Sequence, residues 1–136
     1  MDVASSLSTI NWLSVIVAAV SAFLVGGIWY GPVFGRAWMA AFNFTEEDLK
    51  KRNVGKTFGL SLLLSFVAAL VLDMFIGAEA GLVFGMMAGF FAGFGWVATF
   101  IGIIYLFEMQ SMKAFAINAG YCIVSLTAMG AILGAW

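Results

Sequence analysis

Residues 80–107 read AGLVFGMMAGFFAGFGWVATFIGIIYLF, and this run contains no charged side chain. A helix needs roughly 20 apolar residues to cross the hydrocarbon core of a membrane, so the run predicts a membrane span. Three further apolar runs lie at about residues 10–30, 58–76 and 114–136. Barrel strands are much shorter, at about 10 alternating residues, and four strands are too few to close a barrel. The sequence therefore predicts an all-α, four-helix transmembrane bundle that forms a single domain over residues 1–136.

The composition excludes several other classes of protein. Hydrophobic residues make up 64% of the 136 residues and charged residues 10%; with a mean hydropathy of +1.09, a soluble globular domain is excluded. Histidine is absent and Cys122 is the one cysteine. The chain therefore cannot build a Ser–His or Cys–His nucleophile, a His-ligated metal site or a cysteine cluster, and we expect no cofactor. A formal net charge of −1 gives no basic excess for binding nucleic acid.

The basic residues predict the orientation in the membrane. Five of the six lie in or beside residues 31–57, and Lys113 lies at residues 108–113. The five are Arg36, Lys50, Lys51, Arg52 and Lys56. Because cytoplasmic loops carry the excess of Lys and Arg, we expect both segments in the cytoplasm and both termini outside.

The cytoplasmic loop 31–57 is long enough to hold structure of its own. Gly31-Pro32 predicts the end of the first helix, because proline lacks a backbone donor. Residues 33–44 mix aromatic side chains with Arg36, which predicts an amphipathic helix in the membrane interface. Thr45 and Asp48 form a capping-box pattern, which predicts a helix running through residues 50–52 into the second span. Four basic side chains of this loop either contact anionic lipid headgroups or only fix the topology. These are Arg36, Lys50, Lys51 and Arg52.

The third span carries the clearest pattern of helix packing. Small residues let helix backbones approach closely in lipid, and here they recur at helical spacing along one face. The predicted face is Gly81, Gly85, Ala88, Ala92, Gly95, Thr99 and Gly102. A second row repeats every four residues and slants around the helix, as a tight right-handed crossing requires. It consists of Gly77, Gly81, Gly85, Gly89 and Gly93.

Polar side chains inside spans are costly and mark candidate sites. Asp73 lies near the outer end of the second span, where it either reaches Asn11 or a water-filled vestibule, or simply extends to the interface. Glu108 closes the third span, and Asn118 and Tyr121 lie early in the fourth. These three side chains form either a polar pocket that opens to the cytoplasm or a hydrogen-bonded clamp between the last two helices.

Several short motifs resemble one bacterial family. They are Ile10-Asn11-Trp12, Trp29-Tyr30-Gly31-Pro32, Phe34-Gly35-Arg36-Ala37-Trp38, Tyr105-Leu106-Phe107-Glu108 and Ile117-Asn118-Ala119-Gly120-Tyr121. In this order, over about residues 10–136, the chain resembles the short four-helix integral membrane proteins catalogued as a domain of unknown function. The resemblance implies a bacterial inner-membrane location and no particular activity.

The sequence has many small-residue packing patterns and few side chains suited to catalysis or metal binding. This combination favours a structural, accessory or self-assembling membrane subunit. Its expected partners are membrane lipids, further copies of itself or a larger membrane complex. The alternative is a small-solute or ion channel or transporter, with a polar path lined by Asp73, Glu108, Asn118 and Tyr121. An integral membrane enzyme ranks third, because acid–base catalysis without histidine would rest on the carboxylates and Tyr121.

Overall fold

The structure, a computed structural model, describes residues 2–136, which form seven helices and no strand. Four of the helices are long and apolar enough to cross a membrane, as the sequence predicts. In chain order the helices are α1 (Val3–Ser8), α2 (Trp12–Val33), α3 (Gly35–Phe42), α4 (Glu46–Lys50), α5 (Val54–Ile76), α6 (Leu82–Phe107) and α7 (Met112–Ala135). The membrane-length helices are α2, α5, α6 and α7.

Helix α2 continues past the proline that was expected to end it. Its last turn, Trp29–Val33, is a π-turn that contains Pro32. The Phe34 N–H donates to the Trp29 carbonyl at 2.8 Å, five residues back. Because the turn is wider than an α-turn, the helix continues even though Pro32 has no backbone N–H to donate. Helix α3 then follows almost directly. A β-carbon on Gly35 would lie 2.6 Å from the Tyr30 carbonyl oxygen, so this sharp junction requires glycine.

The predicted capping box is present at the start of α4. The Asp48 N–H donates to Thr45 Oγ1 at 3.1 Å, and the Thr45 N–H donates to the Asp48 carboxylate at 2.9 Å. The expectation that this helix runs on into the second span is wrong. Asn53 Oδ1 instead accepts the Lys56 N–H at 3.0 Å and caps the separate helix α5, because a side chain at this position competes with backbone hydrogen bonding.

Helix α7 lies at the centre of the fold. It packs against α6 on one side and α2 on the other, while α5 packs mainly against α2. Alanine is the commonest residue of the shared core, where Ala18 and Ala69 are fully buried beside larger side chains such as Met129. Close approach of helices through small residues is the typical packing mode in lipid.

The contact between α6 and α7 is made by backbone. A β-carbon on Gly85 would collide with the Gly130 carbonyl oxygen, and one on Gly134 with the Gly81 carbonyl oxygen. The Gly81 N–H also donates to the Gly134 carbonyl at 3.0 Å, directly between the two helices. Four members of the slanted row, Gly81, Gly85, Gly89 and Gly93, therefore provide the contact, whereas Gly77 lies in the turn after α5 and takes no part in it.

The first face predicted for α6, the row from Gly81 to Gly102 at helical spacing, is only partly buried. Gly85 is buried, and Ala88, Ala92 and Gly102 are half-buried. Three members are exposed, Gly81, Gly95 and Thr99, and the assignment to this packing face is corrected for Gly95 and Thr99. Gly81 still contacts α7 through its backbone, but no described atom lies within 4 Å of a β-carbon built on Gly95.

A second π-turn, Gly93–Ala98, explains why the residues predicted for this face are exposed in the second half of α6. A π-turn holds more residues than an α-turn, so the face that packs on α7 shifts by one residue along the sequence. Ala98 is therefore buried where regular spacing predicts Gly95 and Thr99. The packing face then continues at Gly102, whose β-carbon would lie 3.2 Å from the Phe115 ring.

Candidate functional site

The two ends of the bundle differ in charge. One end, here called the cavity end, holds α1 and the start of α2, together with the end of α5 and the end of α7. Its acidic residues are Asp2, Asp73 and Glu79. The other end, here called the basic end, holds α3, α4 and all six Lys and Arg residues of the sequence. The segregation that the sequence shows along the chain is therefore also a segregation in space.

A cavity of about 230 Å³ lies at the cavity end, between α1, α2, α5 and α7. Its walls combine hydroxyl, amide and carboxylate side chains with apolar ones. The lining residues are Ser6, Thr9, Asn11, Ser14, Asp73, Met74, Gly77, Ala78, Glu79, Leu133 and Trp136. Asn11 and Asp73, which the sequence pairs as a candidate outer site, thus line one cavity.

Local capping fixes the α2 wall of the cavity. Asn11 Oδ1 accepts the N–H groups of Leu13 and Ser14 at 3.1 and 3.2 Å, as an N-cap residue does. The Ser14 hydroxyl donates to the Asn11 carbonyl at 2.8 Å and is buried. Within residues 2–136, the Asp73 carboxylate has no hydrogen bond to Asn11 or to any other group. Asn11 is held by its own helix, whereas Asp73 on α5 lines the same cavity without a hydrogen-bonding partner in the described part of the chain.

The turn between α5 and α6 brings a second carboxylate to the cavity. Gly77, Glu79 and Gly81 all have positive φ, at 77°, 59° and 93°. Left-handed backbone is uncommon for a residue other than glycine, asparagine or aspartate, so Glu79 is held in a strained conformation. Sequence reasoning missed Glu79, although an acidic residue in a glycine-flanked turn close to Asp73 is a detectable pattern. Ser6, Ser14 and Trp136 were missed because their sequence separation hides their proximity.

Asn118 joins three helices at the basic end. The Tyr30 hydroxyl donates to Asn118 Oδ1 at 2.6 Å, and Asn118 Nδ2 donates to the Tyr105 oxygen at 2.6 Å. This group, here called the Tyr30–Asn118–Tyr105 cluster, links α2, α7 and α6. Next to it, Trp29 Nε1 donates to the Ile117 carbonyl at 2.8 Å. The sequence analysis did not identify Tyr30 and Tyr105 as the hydrogen-bonding partners of Asn118.

The predicted meeting of Glu108 and Asn118 does not occur. Glu108 is an exposed residue at the end of α6. Asn118 lies about 9 Å along α7 from Met112, at 1.5 Å per residue, and its side-chain amide is bonded to Tyr30 and Tyr105. Tyr121 donates its hydroxyl proton to the Ala22 carbonyl at 3.2 Å. Tyr121 therefore ties α7 to α2 and does not hydrogen-bond Asn118.

Helix α3 packs its aromatic side chains beneath the cluster. The Trp38 ring centroid lies 5.4 Å from that of Tyr30, and the Phe42 centroid 6.3 Å from that of Tyr105. Arg36 on the same helix is exposed. A helix is therefore present where an amphipathic one is expected, and its location in the membrane interface stays a prediction. The exposed Lys50, Lys51 and Arg52 likewise leave headgroup contact as a prediction.

Apolar packing separates the cavity from the cluster. Val15 and Ala18 on α2 are fully buried, and Met129 on α7 is 3% exposed. Between the two ends, Ser125 Oγ is the one buried side-chain oxygen of the described chain without a hydrogen-bond partner. Residues 2–136 contain no group of three or more His, Cys, Asp or Glu that could hold a metal ion. The cluster hydrogen-bonds three helices together, whereas the cavity leaves the Asp73 carboxylate without a hydrogen bond among residues 2–136.

Comparison with known proteins gives one result. The family model described as "Protein of unknown function (DUF1761)" matches residues 13–134, from the first turn of α2 to the last turn of α7. Neither the curated proteins nor the solved structures contain a match to this chain.

Proposed function

This chain belongs to the DUF1761 family of proteins of unknown function, and we propose that it is an integral membrane protein that assembles with further copies of itself. The four apolar helices indicate membrane insertion. One observation carries the proposal: the outward face of α6 offers a small-residue contact that the fold itself leaves unused.

Gly95 and Thr99 form this unused contact. Both are exposed on α6, and no described atom beyond the adjoining backbone of α6 lies within 4 Å of a β-carbon on Gly95. The Thr99 hydroxyl donates to the Gly95 and Trp96 carbonyls at 2.9 and 2.8 Å, so it needs no outside partner. Two small residues four apart are the pattern by which transmembrane helices approach each other closely.

The rest of the outward face of α6 is large and aromatic. Phe90 and Phe94 stack with ring centroids 5.8 Å apart, and both are exposed. Trp96 and Phe100 on the same helix are 66% and 63% exposed. Bulky side chains beside a small-residue notch give a second helix both a groove and ridges to pack against.

Subunit counting in lipid vesicles tests this proposal. We expect single-molecule photobleaching to report an oligomer for the wild-type chain and a monomer for Gly95→Leu and Thr99→Leu, because the new side chains hold the helices apart. Gly27→Leu is the matched control, since Gly27 is also an exposed helical glycine without a described neighbour within 4 Å. A monomeric wild-type protein, or an oligomer unaffected by Leu at position 95, contradicts the proposal.

The proposal includes a location and an orientation. We place the protein in a bacterial inner membrane, on the family resemblance, and the basic end in the cytoplasm, on the positive-inside rule. Lipid headgroups then face Arg36, Lys50, Lys51 and Arg52. If gentle extraction yields instead a stable complex with a different protein, the chain is an accessory subunit of that complex and not a homo-oligomer.

Transport is a second candidate, favoured by the polar groups at both ends of the α2–α7 interface. The cavity with Asp73 lies at one end and the Tyr30–Asn118–Tyr105 cluster at the other, with Ser125 buried between them. We expect a transporter to carry methylammonium or K⁺ into liposomes and to lose that flux in Asp73→Asn and Asn118→Leu. Glu108→Gln serves as the control, because Glu108 is outside both groups. Absence of flux in the wild type contradicts this candidate and leaves assembly.

A further inference from the structure

We propose that the cavity between α1, α2, α5 and α7 binds a small organic ammonium ion, with Asp73 as its anionic partner and Trp136 and Leu133 as its apolar wall. The inference goes beyond self-assembly and does not depend on it, because the cavity lies within one chain and away from Gly95 and Thr99.

The charge of the cavity selects a cation. Asp73 and Glu79 both line it, and none of its lining residues is Lys or Arg. No basic residue lies anywhere at the cavity end, since all six are at the basic end. A concave site lined by one sign of charge concentrates ions of the opposite sign.

The state of Asp73 points to a missing partner. Its side chain is half-buried in the last turn of α5, and no hydrogen bond or ion pair to it exists within residues 2–136. A carboxylate inside a membrane helix is costly unless it is paired. An ammonium N–H donor would supply the pair, and the hydroxyl oxygens of Ser6 and Thr9 in the same cavity can accept its other protons.

The size and the other walls favour an organic ion over a metal ion. A volume of about 230 Å³ is below the roughly 300–1,000 Å³ of sites for drug-sized ligands, so the ligand has few heavy atoms. Met74, Leu133 and Trp136 give an apolar surface for an alkyl group, and an indole face attracts cations. A divalent metal ion takes about six or more oxygen ligands, carboxylates prominent among them, and the described residues include no group of three or more acidic, His or Cys side chains that could hold one.

Calorimetry on the full chain in nanodiscs tests this site with n-butylammonium chloride. We expect saturable binding to the wild type, no binding of the neutral isostere n-butanol, and a Kd at least about tenfold weaker for Asp73→Asn, since the neutral amide removes the charge-assisted hydrogen bond. Glu108→Gln removes a carboxylate of the same charge at the opposite end and should leave the Kd unchanged.

A second measurement covers the case in which Asp73→Asn fails to fold. n-Butylammonium should then still raise the Tm of the wild-type protein while n-butanol does not, because only a ligand of the native state stabilises it. The proposal is overturned by equal effects of the two probes, by the absence of saturable binding to the wild type, or by an unchanged Kd in a folded Asp73→Asn variant.

Discussion

Gly89 and Gly130 stand where two helix backbones meet. A β-carbon on Gly89 would collide with the Leu126 carbonyl oxygen, and one on Gly130 with the Gly85 carbonyl oxygen. These obstacles are main-chain atoms, which cannot rotate away as a side chain can. At these positions a single methyl group forces the two helices to separate.

We therefore expect Gly89→Ala to lower the free energy of unfolding by about 1–3 kcal/mol, the usual cost of overpacking a close contact. Gly27→Ala adds the same methyl group to α2, where no atom beyond the adjoining helix backbone lies within 4 Å, so it should change stability little. Steric trapping in bicelles measures both values. Equal effects of the two substitutions would contradict the role assigned to Gly89.

The candidate site residues were only partly predictable. Asn11, Asp73, Asn118 and Tyr121 could be found, because polar side chains are conspicuous in apolar runs. Their partners could not, since helical periodicity shows which residues share a face but not which helices meet. Tyr30, for example, lies 88 residues before Asn118 in the sequence and donates to it in space.

At the scale of the helix, the existence and approximate bounds of the four spans follow from hydropathy alone, whereas the packing face of α6 does not. A constant 3.6-residue period places Gly95 and Thr99 on one face with Gly85. The π-turn at Gly93–Ala98 breaks that period and turns both residues outward. No composition rule identifies such a turn, because its residues are also good components of a regular apolar helix.

Deletion of one residue tests the role of the π-turn. Removing Trp96, which is 66% exposed, should convert the turn to regular α-helix and keep Gly93, Ala98 and Gly102 on the face that meets α7. Removing Met87, which is 51% exposed, should instead rotate Gly85 away from Gly89. We expect size-exclusion chromatography and thermal unfolding to show a folded protein only for the first deletion. The reverse result would contradict the register argument.

The stability of helix α4 should depend on pH, because its capping box includes the Asp48 carboxylate. The backbone hydrogen bond from Thr45, and then the one involving its side chain, lower the pKa of Asp48 below its usual range. Because the folded-state pKa is depressed, the stabilising contribution is present above the ordinary pKa and is lost as the pH falls through the lowered one. NMR should show the Thr45 amide shift moving in that acidic range. The same shift in Asp48→Asn should not respond, and a response there would contradict the assignment.

For the whole molecule, the separation of charge between the two ends predicts a single orientation in the membrane. In a Cys122→Ser background we expect an impermeant maleimide to label Ser8→Cys on intact cells. Asn53→Cys should be labelled only after permeabilisation. Both positions are exposed in the structure, so a difference in labelling reports the side of the membrane. Labelling of Asn53→Cys alone on intact cells would contradict this orientation and indicate the opposite one.

The central position of α7 also imposes an order on biosynthesis. Helices α2 and α5 contact each other directly, so they can pair as soon as both have left the ribosome and entered the bilayer. Helix α6 has its main neighbour in α7, which is synthesised after it. Until α7 is inserted, the glycine face of α6 is open to lipid and to the helices of other nascent chains. The period in which this protein is most exposed to mispairing is therefore the interval between translation of Phe107 and release of α7 into the membrane.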